Sequence, residues 1–119
     1  VGSELDLAGA LRDIGDPDLL VTMASMMVSE WEGHQTRVAS AVESKSAHEL
    51  RMHAHTLKSL LAMFHAEGAR RKAMELEQAA LSVENVDWSA CSQMFNGLVS
   101  EMDKVRPALA NYVATRTIL

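Results

Sequence analysis

A single cysteine, Cys91, stands in the sequence. It excludes an intramolecular disulfide and a cysteine-based zinc site, and it fits a reducing compartment. Aromatic residues make up only 4% of the chain, and glycine and proline are few. A β-sandwich needs β-branched and aromatic strands with frequent turn residues, so that class is disfavoured. Basic charge is also short: the net charge is −5, where a nucleic-acid surface is normally basic. No apolar run approaches the ~20 residues of a membrane span, and no signal-peptide pattern opens the chain. The first three residues, Val1-Gly2-Ser3, read as a tag remnant or a linker end and are set aside. What remains is a chain of 119 residues rich in Ala, Leu and Met, long enough for one domain with a real core.

The apolar residues recur three or four apart, the period of a buried helical face. Leu5, Leu7, Ala8 and Leu11 predict a short first helix over Glu4–Asp13, which Gly15 breaks. Asp16-Pro17 starts the next, with Asp as cap, Pro at the first position and Asp18 at the positive end of the dipole. Its stripe of Leu20, Met23, Ala24, Met27, Trp31, His34, Val38, Ala41 and Val42 predicts one helix to Ser44, weakened only at Gly33. Ser46 with Glu49 forms a capping-box pattern and opens a helix running to Phe64. Ala69, Ala73, Leu76, Ala80 and Leu81 mark another, ending near Asn85. Asp87 caps the last, which carries Pro107 and is expected to kink or break there. The connections are short, so successive long helices should pack antiparallel. The expected fold is all-α: an up-down four-helix bundle with a short additional N-terminal helix, one domain over residues 4–116.

The stretch His53–Phe64 is the most informative. Leu50, Ala54, Leu57, Leu61 and Phe64 fall on one buried face. His55 then points about 140° from its centre, into solvent, at roughly 100° per residue. Lys58 lies one turn along the same side, and the small residues Ser59 and Ala62 leave the imidazole unfenced. An exposed His-x-x-Lys pair is by itself a weak signal, since most such histidines are simply solvated.

The surrounding residues add to it. Ala54-His55-Thr56-Leu57-Lys58-Ser59, the Ala-rich helix end and capped restart at Ala41–Leu50, and Ala66 and Leu76-Glu77 downstream resemble the histidine-containing phosphotransfer (HPt) domain family. The Asp16-Pro17 start and Met27 extend the likeness. Two positions depart from the family pattern: Ser59 and His65 stand where glycine is usual or frequent. His65 falls where a left-handed backbone is expected.

The resemblance implies that His55 accepts a phosphoryl group from a receiver-domain aspartate and passes it to another receiver. Lys58 is then the neighbouring cation. Arg51, Ser59, Ala62 and Met63 form the phosphate surroundings and docking face. The domain is expected to need no cofactor of its own, with Mg²⁺ on the partner receiver, and to have no autonomous kinase activity. Its partners are response-regulator receiver domains and a hybrid sensor histidine kinase, with no nucleic acid and no membrane, and it is expected to be a cytoplasmic monomer. A non-catalytic bundle that only docks a response regulator is the alternative. A histidine phosphorylated directly by a kinase's ATP-binding domain is a third reading, and no Gly-rich phosphate loop is present to bind nucleotide here.

The other histidines read as less reactive. His53 points to another side of the helix and should border a neighbour. His34 falls on an apolar stripe and should be packed, with one hydrogen bond. His48 lies two turns before His55 on its side. No His-x-x-x-His or repeated Glu-x-x-His spacing occurs, so a metal site is not expected. Most methionines sit at core spacing as adaptable fillers. Met63 alone is read as exposed, a contact for a partner's apolar patch.

Overall fold

The computed structural model describes residues 5–118. Six α-helices, α1 (Leu7–Ile14), α2 (Pro17–Ser29), α3 (Trp31–Glu43), α4 (Ala47–Met63), α5 (Glu67–Ala79) and α6 (Trp88–Thr115), are joined by short turns, with no strand among the described residues. α4 packs on α3 and α5, and α6 packs on α2, α3 and α5. The four long columns of the bundle are therefore α2 with α3, α4, α5 and α6. At about 1.5 Å per residue, the 28 residues of α6 run nearly the whole 45 Å long axis of the molecule.

The caps lie where the sequence places them. Asp16 accepts hydrogen bonds from the backbone N–H groups of Asp18 and Leu19, Ser46 from Glu49 and Asp87 from Ala90, each satisfying a donor that the first helical turn leaves orphaned. Gly15 is left-handed after α1. The capping box at Ser46 is half formed. The Ser46 N–H donates to the Ala41 carbonyl instead, and the Glu49 carboxylate turns to His53 at 3.1 Å. Lys45 and His65, both at φ 55°, close the C-termini of α3 and α4. In each case the following N–H returns to a carbonyl five residues back, Ser46 to Ala41 and Ala66 to Leu61, the pattern of a Schellman cap.

Four helix boundaries differ from expectation. α1 begins at Leu7, capped by Asp6; the expected start at Glu4 lies outside the described residues. The helix expected from Pro17 to Ser44 is bent at Glu30, where φ −98° and ψ 11° interrupt it. Hydrogen bonds Glu30 to Met26 and His34 to Glu30 carry across the bend. The two halves serve different neighbours: α2 lies against α1 and α6, and α3 against α4 and α6. α5 stops at Ala79 and a 3₁₀ turn follows at Val83–Asn85, so Leu81, expected on the buried stripe, is 57% exposed. α6 runs unbroken through Pro107. Proline deprives the carbonyl four residues back of its donor, but Pro107 and Asp103 both face solvent, where that carbonyl can be hydrated.

The core draws on every helix. Trp31, Phe64, Leu20, Leu50, Leu57, Leu61, Leu76, Leu98, Met102 and Leu109 are its largest fully buried side chains. Full burial of each aliphatic one contributes ~1.5–3 kcal/mol. Trp31 at the bend keeps its indole N–H satisfied by Asp103 of α6 at 3.3 Å. α1 is tied to the α4–α5 turn by Asp6 N–H to the Phe64 carbonyl and by His65 Nε2 to Asp13 at 2.6 Å.

Candidate functional site

α4 buries Ala47, Leu50, Ala54, Leu57 and Leu61 and turns His55 outward, its side chain 59% exposed. The fixed inner face thus determines where the imidazole points. α5 runs antiparallel beside it and is anchored by Ala69, Ala73 and Leu76. That places Glu77, next to buried Leu76, against the same edge of α4.

Glu77 is the centre of the polar arrangement. Its Oε2 lies 2.7 Å from His55 Nδ1 and its Oε1 lies 2.6 Å from Lys58 Nζ. Its side chain is only 18% exposed. Burial pushes its carboxyl pKa up, but hydrogen bonds from Lys58 and His55, with their charges, outweigh burial and hold it below the usual value. Glu77 is therefore an anion at neutral pH. An ionised carboxylate only accepts hydrogen bonds, so the His55 nitrogen facing it carries hydrogen. In the neutral ring that hydrogen sits on Nδ1, which leaves the lone pair on Nε2 toward solvent. A neutral imidazole with a free, exposed nitrogen is a competent nucleophile near neutral pH.

His55 also lines a shallow hollow with His48, Arg51, Met52, Thr56 and Glu77. Ser59 and Ala62 are exposed on the same side, so the surface beyond the imidazole stays low. Arg51 and His48 are exposed there too, as their helical phase requires. Met63 is half-buried and not exposed as expected. It lines an apolar hollow of about 220 Å³ with Met23, Met26, Met27, Leu60 and Phe64, near the bend between α2 and α3. Met26, 64% exposed, is the outward methionine of that group.

His34 and His53 occupy the structural roles read for them. His34 is half-buried, with Nδ1 3.1 Å from an Arg37 guanidinium nitrogen. Burial, and then the Arg37 charge, lower its pKa, with Glu30 opposing. His53 pairs with Glu49 on its own helix, and its charge reaches His34 of α3, so it does border that helix. Among the described residues no group of three or more His, Cys, Asp or Glu is placed to hold a metal ion, and no helix is long and apolar enough to cross a membrane.

Sequence reasoning placed His55 and Lys58 side by side on the outer edge of α4, as the structure does, but assigned no role to Glu77. The contact joins two helices across a turn, and no local spacing encodes it. The available signal was a carboxylate directly after the buried Leu76 on the neighbouring helix.

Together the fold and site define a class: all-helical bundles that hold an exposed imidazole on a rigid helix beside a half-buried carboxylate. A family model for the Hpt domain matches residues 22–108, most of the chain, and the chain belongs to the Hpt family. No curated protein and no solved structure matches it. Hpt domains are histidine phosphotransfer modules of phosphorelays that interact with receiver domains, and they are not autonomous kinases.

Proposed function

We propose that His55 is the phosphoryl acceptor, that it takes the group from the aspartyl phosphate of one receiver domain, and that it delivers it to another. The observation that carries this reading is the Glu77 contact on Nδ1, which in the neutral ring leaves the lone pair on Nε2, facing outward. Nε2 attacks phosphorus, the phosphorus–oxygen bond to the receiver aspartate breaks, and the aspartate leaves as a carboxylate. A phosphorus–nitrogen bond has formed on Nε2, the hydrogen stays on Nδ1, and the positive charge this leaves on the ring faces the Glu77 carboxylate. Donation runs the same steps in reverse.

Lys58 keeps positive charge beside the site and holds Glu77 in place. Positioning and electrostatics dominate phosphoryl transfer, so rigidity is the main requirement. Ser59 and Ala62 let the receiver's catalytic pocket close over the ring, and Met63 with the methionine-lined hollow offers it an apolar contact. The chain supplies no cofactor in this reading; Mg²⁺ belongs to the receiver. Mixing the protein with a phosphorylated receiver tests the proposal. Acid-labile phosphate should appear on this chain as the receiver loses it. Binding without transfer would instead mark a docking module.

A further inference from the structure

The arrangement around His55 separates two cationic positions, Lys58 and Arg51, one turn to either side of it along α4. Lys58 lies on the Nδ1 edge of the ring, its Nζ bound to the carboxylate that also receives Nδ1–H. Its charge is largely spent on Glu77. Arg51 precedes His55 by four residues and His48 precedes Arg51 by three, so both stand on the His55 stripe toward the start of α4. They line the same hollow as the imidazole. Among the described residues neither side chain makes a hydrogen bond or an ion pair. The other acid of this segment, Glu49, is engaged by His53, and the Thr56 hydroxyl donates to the Met52 carbonyl.

We infer that the phosphoryl group on Nε2 is held by Arg51, with His48 beside it, and that Lys58 is a positioning residue that acts through Glu77. The inference rests on the reading of His55 as acceptor. A phosphoryl group adds up to two negative charges on the exposed side of the ring. Glu77 and Lys58 already neutralise each other, so Arg51 is the uncommitted cation of the hollow. Its planar fork of donors matches phosphate oxygens two at a time, which an ammonium cannot do. Anchoring through the arginine also leaves the Ser59–Ala62 side low for the incoming receiver.

The test needs no partner protein. Potassium phosphoramidate phosphorylates histidine directly: the reagent's phosphorus–nitrogen bond breaks, one forms to Nε2, and ammonia leaves with the proton. The ³¹P signal absent from His55→Gln is the His55 phosphoryl, and its chemical shift is followed against pH. A cation in contact favours the dianion. Arg51→Ala should therefore raise the midpoint by roughly half a unit or more, with Arg51→Lys restoring part of the shift and Lys58→Ala moving it less. An unchanged midpoint in Arg51→Ala, or a larger shift in Lys58→Ala, overturns the assignment. If no signal depends on His55, the acceptor reading itself falls, an outcome distinct from either of these. Arg51 is exposed on a helix surface and alanine is a strong helix former, so the variant keeps its fold.

Discussion

Glu77 Oε2 lies 2.7 Å from His55 Nδ1 across 22 residues of sequence, and the same carboxylate grips Lys58 through its other oxygen. This clamp gives the imidazole one tautomer and one orientation before any partner arrives. It also makes the three side chains interdependent, so each substitution has a distinct expected signature.

Glu77→Ala removes the acceptor that fixes hydrogen on Nδ1. The ring should then populate the Nε2–H form, visible in long-range ¹H–¹⁵N spectra of the imidazole. Phosphoryl acceptance should slow on the order of ten-fold, the loss expected when a ring loses its orienting partner. An unchanged tautomer balance would remove Glu77 from the account.

Lys58→Ala should leave the fold intact, because Lys58 is not part of the hydrophobic core and alanine is a strong helix former. Transfer should nevertheless slow, since Glu77 loses its second anchor. Circular dichroism and a transfer time course separate the two effects.

Stability should fall as the solution is acidified below about pH 6.5. Burial first, and then Arg37, depress the His34 pKa from its ordinary 6.5. The unfolded chain therefore binds a proton there before the folded one does. Unfolding gains as pH drops from 6.5 through the folded value. Glu77, also depressed, adds a second loss below its ordinary 4.5, where the unfolded carboxyl protonates first. In His34→Gln, urea titrations should show a flatter stability profile between pH 6.5 and 5.

His65 occupies left-handed backbone at φ 55° and bonds Asp13. Replacing it with glycine or alanine removes that bond equally, so the difference between the two variants reports the backbone alone. His65→Gly should be more stable than His65→Ala by about 1 kcal/mol, measured by chemical denaturation. Equal stabilities would mean that the turn is not left-handed in solution.

What could be read in the sequence divides along the line between local and non-local information. The helices, their caps at Asp16, Ser46 and Asp87, and the outward placement of His55 and Lys58 follow from spacing within one segment. The bend at Glu30 does not: no proline marks it, and it arises because α2 and α3 lie against different partners. Pro107 signals a kink or a break, and the helix does not break there: at a solvent-facing position the unpaired carbonyl costs little. Leu81 fitted the apolar period of α5, yet the helix ends before it. Met63 read as outward by helical phase, but it packs partly against the core and lines a hollow with the methionines of α2. Glu77 required knowing how α5 lies on α4.

The central claim is that Nε2 of His55 carries the phosphoryl group. It is tested most directly by incubating wild-type protein and His55→Gln with a ³²P-phosphorylated receiver and following acid-labile label on each. The account predicts rapid labelling of the wild type and none of the variant, with both proteins equally folded. Label that persists in His55→Gln would contradict it.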